Sequence, residues 1–165
     1  MIERLILLFG IIFGIVSYPS LFKKPSSTIW IPLYIGNCLI NYFFDKALVK
    51  FKKVKYPIRF LPKIFRINVV YDFLVCPFLS VWFCQSTYNS KTSGTLGKLL
   101  LFAIPQGIYE IILERKTKAL KFKRNWRWVY SLYLVFIVKI ISRVMLMVIK
   151  RFYKKKSSHT SNNSN

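Results

Sequence analysis

Acidic side chains are scarce in this chain: five Asp and Glu stand against 27 Lys and Arg in 165 residues, with one His and three Cys. So small a stock of carboxylates and imidazole leaves little material for a metal centre or an acid–base dyad. No C-x-x-C pair occurs, and Cys38, Cys76 and Cys84 all lie in apolar runs. That predicts small buried hydrophobes and no disulfide framework. The patterns G-x-S-x-G, H-E-x-x-H, Walker A and G-x-G-x-x-G are missing too, so neither an enzyme nor a cofactor is expected.

What is present points to a membrane. The net charge is +22, yet 54% of residues are hydrophobic, 18% are aromatic and the mean hydropathy is +0.37. A disordered polycation or a soluble nucleic-acid binder is less apolar than this. A chain both this basic and this apolar must keep charges and apolar runs apart, which predicts an all-α membrane protein, a small bundle of four or five transmembrane helices with basic cytoplasmic loops.

The apolar runs place the spans at about 2–18, 29–44, 67–84, 96–113 and 129–149, in one integral domain over 1–156. The first has no A-x-A-like cleavage site after it and only Arg4 as a positive flank, so it reads as an uncleaved span. Trp30 opens the second as an interfacial anchor, and Trp126 and Trp128 do the same before the fifth. Pro77 interrupts the third, which a membrane helix tolerates when a neighbour satisfies the freed carbonyl. The polar tail 157–165 is expected to be disordered.

Charge gives the orientation. Residues 46–66, residues 115–127 and Arg4 together carry sixteen cations, against four in the loops on the other side. The positive-inside rule therefore puts the N-terminus and both basic loops in the cytoplasm of a bacterial plasma membrane. The fifth run is ambiguous, because Lys139 and Arg143 interrupt it at about 2.5–3.5 kcal/mol each. Lys139, Arg143, Lys150 and Lys154 form one stripe opposite Ile137, Ile141, Val144 and Val148. Its length favours spanning, while the cations beyond it favour a helix lying in the headgroups. Both arrangements stay open.

Asn41 and Asp45, and again Asn68 and Asp72, stand four apart and so share a helix face. With Glu110 they make a candidate polar cluster near the inner boundary, able to bind a cation or relay a proton. The plainer expectation is that these carboxylates offset nearby cations, with Lys139 and Arg143 as partners that join helices. The basic loops interleave Lys with apolar and aromatic residues, which suits anionic lipid headgroups and not nucleic acid. A membrane protein partner or a homo-oligomer is also open. The expected role is a structural or interaction protein. A small ion or solute transporter component using Asp72 and Glu110 is the alternative, and a lipid-active membrane enzyme is the third.

The segments Pro57-Ile-Arg-Phe-Leu-Pro62, Ile67-Asn-Val-Val-Tyr-Asp72, Tyr109-Glu110, Leu120-Lys-Phe-Lys with Trp126, Trp128 and Ser131, and finally Arg143, form a loose pattern over residues 30–145. It resembles a family of small uncharacterised multi-pass membrane proteins of spore-forming bacteria. The resemblance implies a helical bundle in a bacterial plasma membrane, with Asn68, Asp72, Glu110, Trp126 and Arg143 as matching positions. It brings no defined activity.

Overall fold

A computed structural model describes residues 2–57, 68–117, 120–123 and 126–162. Much of the Pro57–Pro62 stretch, the rest of the first basic loop through Ile67, residues 118–119 and 124–125 of the second loop, and the last three tail residues lie outside the described residues. The chain is mostly helical.

Helix α1, Ile2–Ser17, ends in a 3₁₀ turn at Tyr18–Phe22, where Pro19 sits in the first turn. Helix α2, Ser27–Lys50, starts at Ser26, whose Oγ accepts the Thr28 amide at 3.2 Å. It ends in a Schellman turn: Lys53 N reaches Leu48 O at 2.9 Å and Lys52 N reaches Val49 O at 3.1 Å, with Lys52 in the left-handed region at φ 54°. That turn sends the chain into β1, Val54–Lys55, which pairs antiparallel with β2, Lys121–Phe122. The two basic loops are thus stitched together into a small cap over one end of the bundle.

Between the strands lie two more helices. Asn68 accepts the Tyr71 amide through Oδ1 at 3.4 Å, and a π-helical turn at Tyr71–Val75 leads into α3, Cys76–Ser86. Helix α4 covers Thr92–Lys116 and α5 covers Trp128–Asn162. The disordered tail expected from residue 157 therefore begins as helix, because the Lys and Arg residues after Ile149 are good helix formers that let α5 propagate.

Three segments, Arg4–Phe22, Ser93–Lys116 and Trp128–Lys154, are long and apolar enough to cross a membrane. Helix α2 matches them in length, but Asn37, Asn41, Asp45 and Lys46 dilute its apolar character. The outward faces are apolar at a regular step: Ile31, Ile35, Leu39 and Phe43 on α2, then Leu96, Leu100, Ile104, Ile108 and Ile112 on α4. Stripes this long exceed what soluble monomers expose.

Helix α5 is amphipathic in the inverted sense. Lys139 is 1% exposed and Arg143 partly buried while Val144 and Val148 are about half exposed, so over its middle the cationic stripe faces the bundle and the apolar stripe faces outward; Lys154, further on, is exposed. It packs on α2, α3 and α4. Near its start Ser131 bonds Glu110; further along, Lys139 Nζ donates to Ser80 Oγ at 3.1 Å and Ser142 Oγ to Asn37 Oδ1 at 2.6 Å; Lys150 Nζ donates to Tyr88 O at 3.3 Å. These contacts follow α5 from the capped end to the opposite end. Such a helix is a member of the bundle and does not lie flat across it.

Two apolar clusters bracket this polar middle. One, around Ile29, Trp30, Leu33, Phe78, Val81 and Leu146, fills the end away from the cap; the other, around Val54, Tyr56, Leu113 and Leu120, lies beneath it. Helix α1 is docked by close approach, since a Cβ on Gly14 would stand 3.0 Å from Leu74 Cβ.

Candidate functional site

The cap and the bundle enclose a cavity of about 60 Å³, room for roughly two to four waters and far below a substrate pocket. Larger recesses, about 760 Å³ beside Lys23, Lys24 and Trp82 and about 250 Å³ between Phe9, Leu101 and Tyr109, are open to the surface. All five inner polar residues singled out from sequence, Asn41, Asp45, Asn68, Asp72 and Glu110, line the enclosed cavity. Lys139 and Arg143 do not line it.

Local structure explains the convergence. Asn41 and Asp45 are one turn apart on α2, and Asn68 and Asp72 face them from the start of the π-turn. π-turns recur at functional sites because the extra residue re-aims side chains. Here the turn is associated with Pro77, which lacks the amide that would bond the Phe73 carbonyl. That carbonyl instead accepts the Tyr34 hydroxyl at 2.6 Å and faces Cys38 Sγ at 3.7 Å. The freed acceptor is satisfied from the neighbouring helix, as burial away from water requires.

The carboxyls are held by hydroxyls. Glu110 accepts from Tyr71 at 2.7 Å and also from Ser131. Asp45 accepts from Tyr56 and lines the same cavity as Asp72. Neither of the two buried carboxyls more than a turn inside its span, Asp72 or Glu110, takes Lys139 as a hydrogen-bond partner, since Lys139 bonds Ser80. At Glu110 hydroxyl bonds stand where a carboxylate–cation join was expected, and they secure the carboxyl without burying a second charge. Tyr56 lies beyond the spans, and burial first, then the Asp45 and Asp72 carboxyls, push its phenol well above the ordinary value.

Some polar atoms in this region have no partner. Among the described residues seven buried side-chain atoms lack one, and four of the seven, Asn41 Nδ2, Asp72 Oδ2, Gln106 Oε1 and Trp126 Nε1, belong to residues that line this cavity. Arg143 also keeps a buried unpartnered nitrogen, away from the cavity.

The three tryptophans divide. Trp30 is 1% exposed, with Nε1 donating to Lys23 O at 2.9 Å and its ring edge-on to Tyr88. It fastens a loop to the helix end inside the protein instead of anchoring in headgroups, because its one donor meets a loop carbonyl there. Trp126 is half-buried against the cavity, and Trp128 is exposed at the start of α5.

Sequence reasoning did not single out Tyr56, Tyr71 or Gln106. A signal for Gln106 existed: Gln106 and Glu110 repeat, on α4, the amide-then-carboxyl spacing of Asn41/Asp45 and Asn68/Asp72. The echo is threefold, one pair from each of three packed segments. Among the described residues no group of three or more His, Cys, Asp or Glu is placed to hold a metal ion. The chain matches no protein-family model, no curated protein and no solved structure.

Proposed function

We propose that this chain is a multi-pass integral protein of a bacterial plasma membrane with a structural or interaction role. It crosses the bilayer with its helices, the N-terminus and the loops 46–66 and 115–127 lying on the cytoplasmic side. The observation that carries this reading is how the interior polar groups are used. Tyr34 to Phe73 O, Asn37 to Ser142, Ser80 to Lys139 and Glu110 to Ser131 each tie one helix to another. Interhelical bonds of this kind hold membrane bundles together where lipid offers no hydrophobic drive between helices. The enclosed cavity is water-sized, which argues for a filled bundle and against a solute path.

Exposed Lys50, Lys52, Lys55, Lys116, Lys121 and Lys123 surround the cap. On the cytoplasmic side they meet anionic headgroups at about 1 kcal/mol each. The resemblance to the membrane proteins of spore-forming bacteria agrees with this setting.

A second reading, an ion-transport component using Asp72 and Glu110, is favoured by one observation: Asp45, Asp72 and Glu110 line one cavity with unpartnered polar atoms. Two measurements separate the readings. Purification from native membranes should bring down a membrane partner or a second copy of the chain, and liposomes containing the protein should show no ion flux. Flux that disappears in Asp72→Asn overturns the structural role in favour of the transporter.

A further inference from the structure

Asp45 and Asp72 line the same cavity of about 60 Å³, and Asp72 is 2% exposed. Two carboxyls that share so small a buried space repel strongly when both are ionised, so one of them keeps a proton. Asp72 Oδ2 is buried with no hydrogen-bond donor among the described residues, so nothing there favours its ionised form.

The rest of the cavity says what surrounds that proton. Asn41 Nδ2 and Gln106 Oε1 are unpartnered on side chains more than nine-tenths buried, and both residues line the same space. With Asp72 Oδ2 and Trp126 Nε1 they make two donors and two acceptors. Water both donates and accepts and so can complete all four, whereas a bare cation would face two N–H groups.

We propose that the capped cavity is a proton-binding site, in which Asp45 and Asp72 hold one proton between them and internal waters connect it to Gln106 and Glu110. This deepens the ion-handling reading of the cavity and rests on it for any translocation; binding itself needs no flux. The groups that face the pair are Asn41 on α2, Tyr56 after β1, Tyr71 and Cys76 at the π-turn and α3, Gln106 and Glu110 on α4, and Ser131 on α5. Lys139 of α5 is the cation that acts on Glu110.

Infrared difference spectra of the full chain in phosphatidylcholine liposomes test the site. Near neutral pH the wild type should show a protonated-carboxyl C=O band that shifts in D₂O. The band should persist in Glu110→Gln and, in that same Glu110→Gln background, vanish in both Asp45→Asn and Asp72→Asn, where an amide replaces the proton-holding carboxyl. No such band in the wild type, a band kept in both Asp variants, or one erased by added NaCl at constant pH overturns the proposal. The wild-type band and its salt response decide the matter even if a variant fails to fold. A proton flux assay on the same vesicles keeps the two ideas apart. A band without flux sinks translocation and leaves the site standing; flux without a band sinks the site.

Discussion

The Tyr34 hydroxyl lies 2.6 Å from the Phe73 carbonyl, the acceptor that Pro77 leaves without its helical donor. A side chain on α2 thus completes the backbone of the π-turn, and the bond fixes α2 against the segment that carries Asp72. Tyr34→Phe should destabilise the protein by about 1 kcal/mol, the usual net value of such a bond in a membrane interior. Pro77→Ala restores an amide for that carbonyl, so in its presence Tyr34→Phe should cost clearly less. A double-mutant cycle by denaturant titration in mixed micelles reads the coupling, and strictly additive losses would refute it.

Docking of α1 should depend on the bare face of Gly14. A side chain there meets Leu74 at its Cβ, which cannot swing away, whereas a Cβ on Gly97 of α4 meets nothing within 4 Å. Gly14→Val should lower stability by about 1–3 kcal/mol through overpacking. Gly97→Ala should be neutral or slightly stabilising, since it adds helix propensity without a clash. Thermal unfolding of both variants in one detergent makes the comparison; equal effects would mean that α1 is not held by this contact.

Tyr56 predicts an alkaline limb in stability. Its folded pKa is raised by burial and by the two neighbouring carboxyls, so the unfolded chain releases this proton first as the pH rises. The contribution is complete below the ordinary phenol value of about 10 and is lost above it, at about 1.4 kcal/mol per pH unit for one proton. Tyr56→Phe should make the curve less steep above that pH by up to one proton's worth. An unchanged slope would place the linked ionisation on another tyrosine.

Much of this architecture was legible in one dimension, and the reasons are physical. Apolar runs longer than a turn favour helices, so a helix lies at or near each of the five runs. Among the described residues, however, only three are long and apolar enough to cross a membrane, and the run at 67–84 is a π-turn followed by the 11-residue α3. The stripe of Lys139 and Arg143 was visible too, but periodicity gives a face and not its direction, and only packing shows that the charged face turns inward. The Asn/Asp echo led to the cavity because residues four apart must share a face. The cap was hidden, since two-residue strands some sixty-five residues apart in sequence carry no period. Tyr56 was hidden with it. Trp30 misled because a tryptophan at a helix end looks the same whether its neighbour is lipid or Tyr88.

The side on which the C-terminus emerges follows from Lys150. Its ammonium lies 3.8 Å from the centre of the Tyr88 ring and bonds the Tyr88 carbonyl. Tyr88 also touches Trp30, which bonds Lys23. The far end of α5 therefore shares one end of the bundle with Lys23 and Lys24, opposite the cap. By sequence that end gathers nine cations with α5 included, against sixteen at the N-terminus and the capped loops. The bias is reduced but keeps its sign, so the cap should still face the cytoplasm. Single-cysteine variants Lys24→Cys, Lys52→Cys and Lys154→Cys, with the three buried cysteines replaced by Ala, can be probed on spheroplasts with an impermeant maleimide. Positions 24 and 154 should label from outside, and position 52 only after permeabilisation. Labelling of 154 together with 52 would return α5 to the headgroup plane, and labelling of 52 alone from outside would invert the whole protein. In the expected outcome, the inward bonds of Lys139 offset part of its insertion cost of about 2.5–3.5 kcal/mol, which lets a helix with two internal cations cross.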